Sequence, residues 1–164
     1  IDQEGCLEKN AGWIDPGLRF RRRMVRDPGN SSQRLNVDWL SGCSLLLKPF
    51  AHDLEPRFDE SFPLYYEDID LCLRLARRGV SILWLPNIRI RHHKGHGSIT
   101  SSARRLRLST CSYIRFLQRH RPWWVVSLRS LRLLMKAFVG LFITPMTSFA
   151  VLRGLVEAIR NPPT

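Results

Sequence analysis

The chain has 164 residues, 44% of them apolar, with 26 Lys and Arg against 14 Asp and Glu and a formal charge of +12. That length and apolar content suit one compact domain with an appendage and exclude a compositionally disordered chain. The charge attracts phosphates, nucleic acid or anionic lipid without choosing among them. Cys6, Cys43, Cys72 and Cys111 are scattered with no C-x-x-C pair, so neither a zinc ribbon nor a dense disulfide framework is indicated, and a reducing setting is the default. The first residues carry acids but no initiating Met and no apolar signal core. A start in the middle of a longer gene product is therefore expected.

Three zones follow in chain order. Residues 1–34 hold the turn signals Gly12-Trp13-Ile14-Asp15-Pro16-Gly17 and Asp27-Pro28-Gly29-Asn30, which predict a loop-rich entry segment with little regular structure. Residues 35–98 alternate strand-like runs with one helix, the pattern of an α/β core. Val37 and Trp39 lead into Ser41-Gly42, and the run Cys43-Ser44-Leu45-Leu46-Leu47 stops before Pro49. This predicts a buried strand entered through a tight turn. Phe58 to Pro63 reads as a loop.

From Glu67, Ile69, Cys72, Leu73 and Ala76 recur at helical spacing. Acids crowd the start, Arg74, Arg77 and Arg78 the end, and Gly79 is placed to terminate the helix. A short strand from Val80 to Leu85, closed by Pro86, comes next. Ile88-Arg89-Ile90-Arg91-His92 then alternates with period two, which groups His92 with Ile88 and Ile90 and sets His93 with the arginines.

Val37-Asp38-Trp39-Leu40-Ser41-Gly42-Cys43, Phe58-Asp59-Glu60, Tyr66-Glu67-Asp68-Ile69-Asp70-Leu71-Cys72-Leu73-Arg74, Gly79, Pro86 and His92-His93 together resemble, in order and spacing, the second half of inverting family 2 glycosyltransferases of the GT-A type. The likeness is greatest to rhamnosyltransferase-like bacterial enzymes. It covers 35–98 well, the entry segment loosely and the tail only in character. It implies an α/β fold that is the C-terminal portion of a GT-A nucleotide-diphospho-sugar transferase. In that family the first half supplies the nucleotide-binding unit and an Asp-x-Asp motif for a divalent metal, Mg²⁺ or Mn²⁺. No Asp-x-Asp of that kind is found in this chain, so most of the metal site is expected in a missing N-terminal half and the isolated chain is expected to be inactive.

The resemblance also implies roles for residues. Inverting transfer needs a base that takes the proton of the attacking acceptor hydroxyl. By resemblance Asp68 is that base and Glu67 its neighbour in orientation or acceptor contact. Asp70 is a further acid for substrate binding or for the helix start, and all three acids also suit the positive end of a helix dipole. Imidazole is a usual ligand for divalent transition ions, and His92 is the implied metal ligand. Strand alternation prefers it to His93. Lys94, in Lys94-Gly95-His96-Gly97-Ser98, is a candidate for phosphate contact. Trp39, Ser41 and Gly42 form a candidate substrate-binding segment, with Trp39 open to a second reading as a core residue beside a turn.

Residues 99–164 read as a basic, amphipathic helical tail. Arg104, Arg105, Arg107, Arg115, Arg119 and Arg121 precede Trp123-Trp124, and Arg129, Arg132 and Lys136 interleave with Leu128, Leu131, Leu133, Leu134 and Met135. Such a pattern suits a helix lying in an anionic bilayer surface. The run from Ala137 to Leu152 has no charge but is shorter than a membrane span and contains Pro145, so a surface helix or re-entrant hairpin is expected. A helical hairpin packed on protein is the alternative.

Two functions thus compete. One is transfer of a sugar from a nucleotide donor to a glycan or lipid-linked acceptor at the cytoplasmic face of a bacterial plasma membrane, by a peripheral or monotopic protein. The other is a non-catalytic basic module for membrane or RNA. No nucleic-acid module signature occurs, so no nucleic-acid partner is expected.

Overall fold

The computed structural model describes residues 11–14, 22–24, 34–47, 56–88, 90 and 101–163. It is mixed α/β and mostly helical. Two compact units divide the chain, one of Ile1–Phe58 with Asp68–Ser98, the other of Asp59–Glu67 with Ile99–Thr164.

In the first unit, β1 (Ala11–Ile14) pairs antiparallel with both β2 (Arg22–Met24) and β4 (Trp39–Leu40), giving the order β2-β1-β4. β3 (Leu35–Asn36) pairs antiparallel with β5 (Leu83–Trp84), and the Val37 N–H extends that ladder by donating to the Ile82 carbonyl at 3.0 Å. The entry segment, expected to have little regular structure, therefore contributes two strands. Between β4 and β5 runs α1 (Glu67–Arg77).

Helix α1 ends as its sequence dictates. Gly79 takes φ +81°, its N–H donates to Ala76 O, and the Val80 N–H donates to Leu75 O. Those two bonds form a Schellman closure, which needs a residue without Cβ strain at the left-handed position. The buried seam differs from the sequence expectation. Ile69 and Cys72 are buried, but so are Asp70, Leu71 and Leu75, whereas Ala76 is exposed and Leu73 is only half-buried. Burial of four consecutive residues, Ile69 to Cys72, means that α1 is covered on more than one side.

Of two further expected strands, the one at 43–47 is not formed, and residues 89, 91 and 92 of the other lie outside the described residues. Residues 41–44 make a turn, with the Ser44 N–H donating to Ser41 O, and 45–47 have no ladder partner; Leu46 is 93% exposed. An apolar run of five residues is compatible with a strand but does not supply a neighbour to pair with. Ile88 and Ile90 are likewise outside any strand, and Ile88 is 62% exposed.

The second unit is built from α2 (Ser102–His120), α3 (Trp123–Gly140) and α4 (Pro145–Arg160). Ser101 caps α2 by accepting the Arg104 N–H at 3.3 Å. Pro122 precedes α3, and Pro145 stands at the first position of α4, where its missing N–H costs nothing. The uncharged run 137–152 is therefore the end of α3, a turn and the start of α4. Cys111, Ile114 and Leu117 of α2 and Leu155 and Ala158 of α4 form its core, with Tyr113, Val126, Leu133 and Val151 packed on them. Arg107 lies against α4 near Gly154 and Glu157, and Arg115 near Asn161, so α2 and α4 run in the same direction.

Buried polar groups brace this bundle. The Arg115 guanidinium donates to Asn161 O at 2.9 Å and to Ser61 O, and Ser112 Oγ accepts the Leu64 N–H at 3.2 Å. Arg119 pairs with Asp59 at 2.5 Å and lies 5.5 Å from the Phe62 ring centre. The segment 59–67 is thus held along α2 by side chains from three of its turns.

Two predictions follow from this packing. A Cβ on Gly154 would meet Arg107 O at 2.5 Å and Thr110 Cβ at 2.9 Å, whereas one on Gly42 would meet nothing closer than 3.5 Å. Gly154→Ala should therefore destabilise the chain by about 1–3 kcal/mol in urea unfolding, and Gly42→Ala by clearly less. For Asp59, burial alone would raise the pKa, but hydrogen bonds from Ser61 and the charge and hydrogen bond of Arg119 outweigh it and hold the group below its ordinary 3.8. Its contribution is present above that value and is lost as pH falls through the lower, folded value. Asp59→Asn should cost about 1–2 kcal/mol at neutral pH and less at pH 3, below the ordinary value of 3.8. Equal losses of melting temperature at both pH values would show that the carboxylate charge contributes nothing.

Candidate functional site

The candidate site is the start of α1 and the 41–44 turn with the residue before it, Leu40. Asp68, half-buried in the first turn of α1, accepts the Gly42 N–H on Oδ2 at 3.0 Å and the Ile69 N–H on Oδ1 at 2.8 Å. A carboxylate oxygen has two acceptor positions, so each keeps capacity for a further donor such as a hydroxyl. One helical turn on, Cys72 meets the same segment: the Leu40 N–H lies 3.4 Å from Sγ, and the thiol faces Leu40 O at 3.9 Å. Burial, helped by the charge of Asp68 and only partly opposed by the Leu40 amide, pushes the Cys72 thiol up to about 11. It remains protonated at neutral pH and acts as a structural donor and acceptor, not as a nucleophile.

Ser41 and Gly42 therefore stand beside Asp68, with Gly42 exposed and Ser41 half-buried. Trp39 is 3% exposed. Its indole belongs to the interior and presents no open face for a sugar, which favours the second of its two sequence readings. Asp70 is fully buried, and its Oδ2 accepts from Arg74 Nε at 2.7 Å, while Arg74 also donates to Arg57 O at 2.6 Å. Such an acid is internal to α1 and its neighbouring loop, and is not available to a substrate. Glu67 is half-buried at the helix start.

The two residues before the helix have a feature that the sequence does not signal. Tyr65 and Tyr66 take φ +63° and +71°, a region costly for side chains other than Gly, at about 1–3 kcal/mol each. Packing offsets part of this cost: the Tyr66 ring lies 5.7 Å from Tyr113 and 5.3 Å from Phe116. Tyr65 is exposed. No Gly or Asn marks the position, so nothing in the residue types foretells it.

His92 and Lys94 lie outside the described residues. The strand facing that preferred His92 to His93 gains no support from Ile88 and Ile90, which are exposed and unpaired with any strand. Among the described residues no group of three His, Cys, Asp or Glu side chains is placed to hold a metal ion.

Comparison with known proteins gives a consistent direction. N-acetylglucosaminyl-diphospho-decaprenol L-rhamnosyltransferase of Mycobacterium tuberculosis is 37% identical over 94 residues, 57% of this chain and 31% of that protein, in both strains CDC 1551 and H37Rv. Rhamnosyltransferase WbbL of Escherichia coli K12 is 33% identical over 85 residues, 52% of this chain and 32% of that protein. No family model and no solved structure matches the chain. The chain spans about a third of the length of these relatives. Over about half its own length it is similar to glycosyltransferases, and specifically to proteins named rhamnosyltransferases.

Proposed function

We propose that this chain is the acceptor-side part of an inverting GT-A, family 2 glycosyltransferase that moves a sugar from a nucleotide-diphosphate donor to a glycan or lipid-linked acceptor at the cytoplasmic face of a bacterial plasma membrane. The observation that carries the reading is the Asp68 carboxylate, oriented by the Gly42 and Ile69 amides at the start of a rigid helix. The similarity to rhamnosyltransferases supports it. The mycobacterial relative's name pairs an L-rhamnosyl group with N-acetylglucosaminyl-diphospho-decaprenol, so nucleotide-linked rhamnose and a diphospho-lipid-linked sugar are the donor and acceptor to test first.

In this reading Asp68 takes the proton of the acceptor hydroxyl as its oxygen attacks the anomeric carbon. The bond to the nucleotide diphosphate breaks with its electron pair leaving on the diphosphate, and the configuration inverts. Glu67 assists acceptor contact, and Ser41 and Gly42 line the approach to Asp68. A divalent ion has no fitting donor set among the described residues, and no step is assigned to it. His92 and Lys94 are proposed for metal and phosphate contact on the resemblance alone.

In the complete enzyme, Asp68→Asn keeps an oxygen for the Gly42 N–H but removes proton acceptance. Turnover should fall by about 10²–10⁴-fold with donor affinity nearly unchanged; near-normal turnover would remove Asp68 from the mechanism. His92→Ala should weaken the activating effect of Mn²⁺ or Mg²⁺ more than His93→Ala does. A metal titration giving the same curve for both variants would withdraw the assignment.

A further inference from the structure

Helix α3 carries two apolar faces, and only one of them is used. Val126, Leu133 and Ala137 turn toward α2 and α4 as packed or buried residues. Trp124, Leu128, Leu131, Met135 and Phe138 are all exposed. At the helical repeat these five fall within about 40° of a common direction, roughly 200° from the packed residues. Exposed apolar side chains continue in the turn after α3, where Phe142 is 85% and Ile143 78% exposed, and in Met146, the second residue of α4, at 76%. Trp123, 79% exposed, stands at the other end. Ordinary protein surfaces scatter such residues singly; a continuous set over a helix of about 27 Å marks a surface with an occupant.

Charge decides which occupant. Arg132 and Lys136 are exposed along one flank of the stripe, and Glu157 is the sole acidic residue of 99–164. Two copies meeting along the stripe would bring like charges together in a setting with almost no acid to offset them. A bilayer with anionic headgroups accepts the stripe and its cationic flank at once, with indoles at the headgroup level. No described helix is long and apolar enough to cross a membrane, which is consistent with a helix lying in the plane.

We propose that α3 and the 141–146 turn form a membrane-docking surface that inserts shallowly, parallel to the bilayer, into anionic lipid. The contact is narrower than the basic content of the tail suggests, because Arg115 and Arg119 are spent inside the bundle on Ser61, Asn161 and Asp59. It stands apart from the glycosyl-transfer reading and is tested without sugar transfer.

The test is flotation of the full chain with phosphatidylcholine vesicles containing about one-third phosphatidylglycerol, and with phosphatidylcholine alone. The wild-type chain should float with the anionic vesicles and stay partly bound in high salt. Leu131→Asp with Met135→Asp, both on the exposed face, should lower partitioning by about tenfold or more without changing the circular dichroism or melting temperature. Arg132→Gln with Lys136→Gln should keep the fold and reduce the preference for anionic over neutral vesicles by about tenfold. Complete release of the wild type by salt, equal flotation of the Asp variant, or a concentration-dependent dimer lost in the Asp variant while wild-type chain ignores vesicles would each overturn the proposal. A second readout is tryptophan emission: of the five tryptophans, Trp123 and Trp124 should account for the quenching by nitroxide-labelled lipid, so that quenching is lost in Trp123→Phe with Trp124→Phe; equal quenching of that variant and the wild type when vesicle-bound would place the contact elsewhere.

Discussion

The first unit depends on the double attachment of α1 to the backbone of residues 40–42. Asp68 and Cys72 are four residues apart, hence on one face of the helix. Asp68 takes the Gly42 amide and Cys72 the Leu40 amide. Because Leu40 belongs to β4, and β4 pairs with β1, the attachment is continuous with the β2-β1-β4 ladder. Such strands are only two to four residues long and would be marginal alone. A helix that ends in a Schellman closure and is fixed at its first two turns supplies the rigidity they lack. It also fixes the carboxylate on which the proposed chemistry rests.

A different solution holds the second unit. Its apolar core is small-residue and close-packed where α2 meets α4, as Gly154 and Ala158 show, and the connection of 59–67 to α2 is polar. Buried Arg115 is satisfied by two backbone carbonyls, and Asp59 with Arg119 makes a charge-assisted pair largely shielded from water. Removing one partner of such a group leaves the other buried and unsatisfied, which costs more than the pair contributes. These contacts give the segment carrying Tyr65 and Tyr66 an anchored origin, so their left-handed conformation is held from both the Asp59 side and the Tyr66 ring.

Legibility from sequence followed the strength of the local signal. Helix α1, its acidic start, its basic end and its Gly79 stop could be read because caps and periodicity act within a few residues. The pairing of short strands could not, since a partner far along the chain decides whether an apolar run becomes a strand: Trp39-Leu40 found β1, while Cys43 to Leu47 found none. At the site, Asp68 and Gly42 could be singled out, but their bond to each other is tertiary. The interior position of Trp39 and the ion pair of Asp70 depended on burial, which residue type alone leaves open.

The same reasoning governs the net charge. A formal +12 suggests one uniform attraction for polyanions, yet the arginines divide by their partners. Arg74 holds Asp70, Arg107 faces Glu157 at 3.7 Å, too long for a hydrogen bond but close enough for attraction, and Arg115 and Arg119 brace the loop before α1. The contacts of Arg74, Arg115 and Arg119 contribute to folding through a fixed geometry that salt screens little, whereas the partly exposed Arg107–Glu157 pair is open to screening. What remains for an external partner is the exposed set, and on α3 that set runs beside a continuous apolar stripe. The composition therefore overstates the field available to a ligand and says nothing of its shape. Position on the helix supplies the shape: an apolar ridge with a cationic margin is matched by an interface that is apolar beneath and anionic above, and a purely polar polyanion would leave the ridge in water.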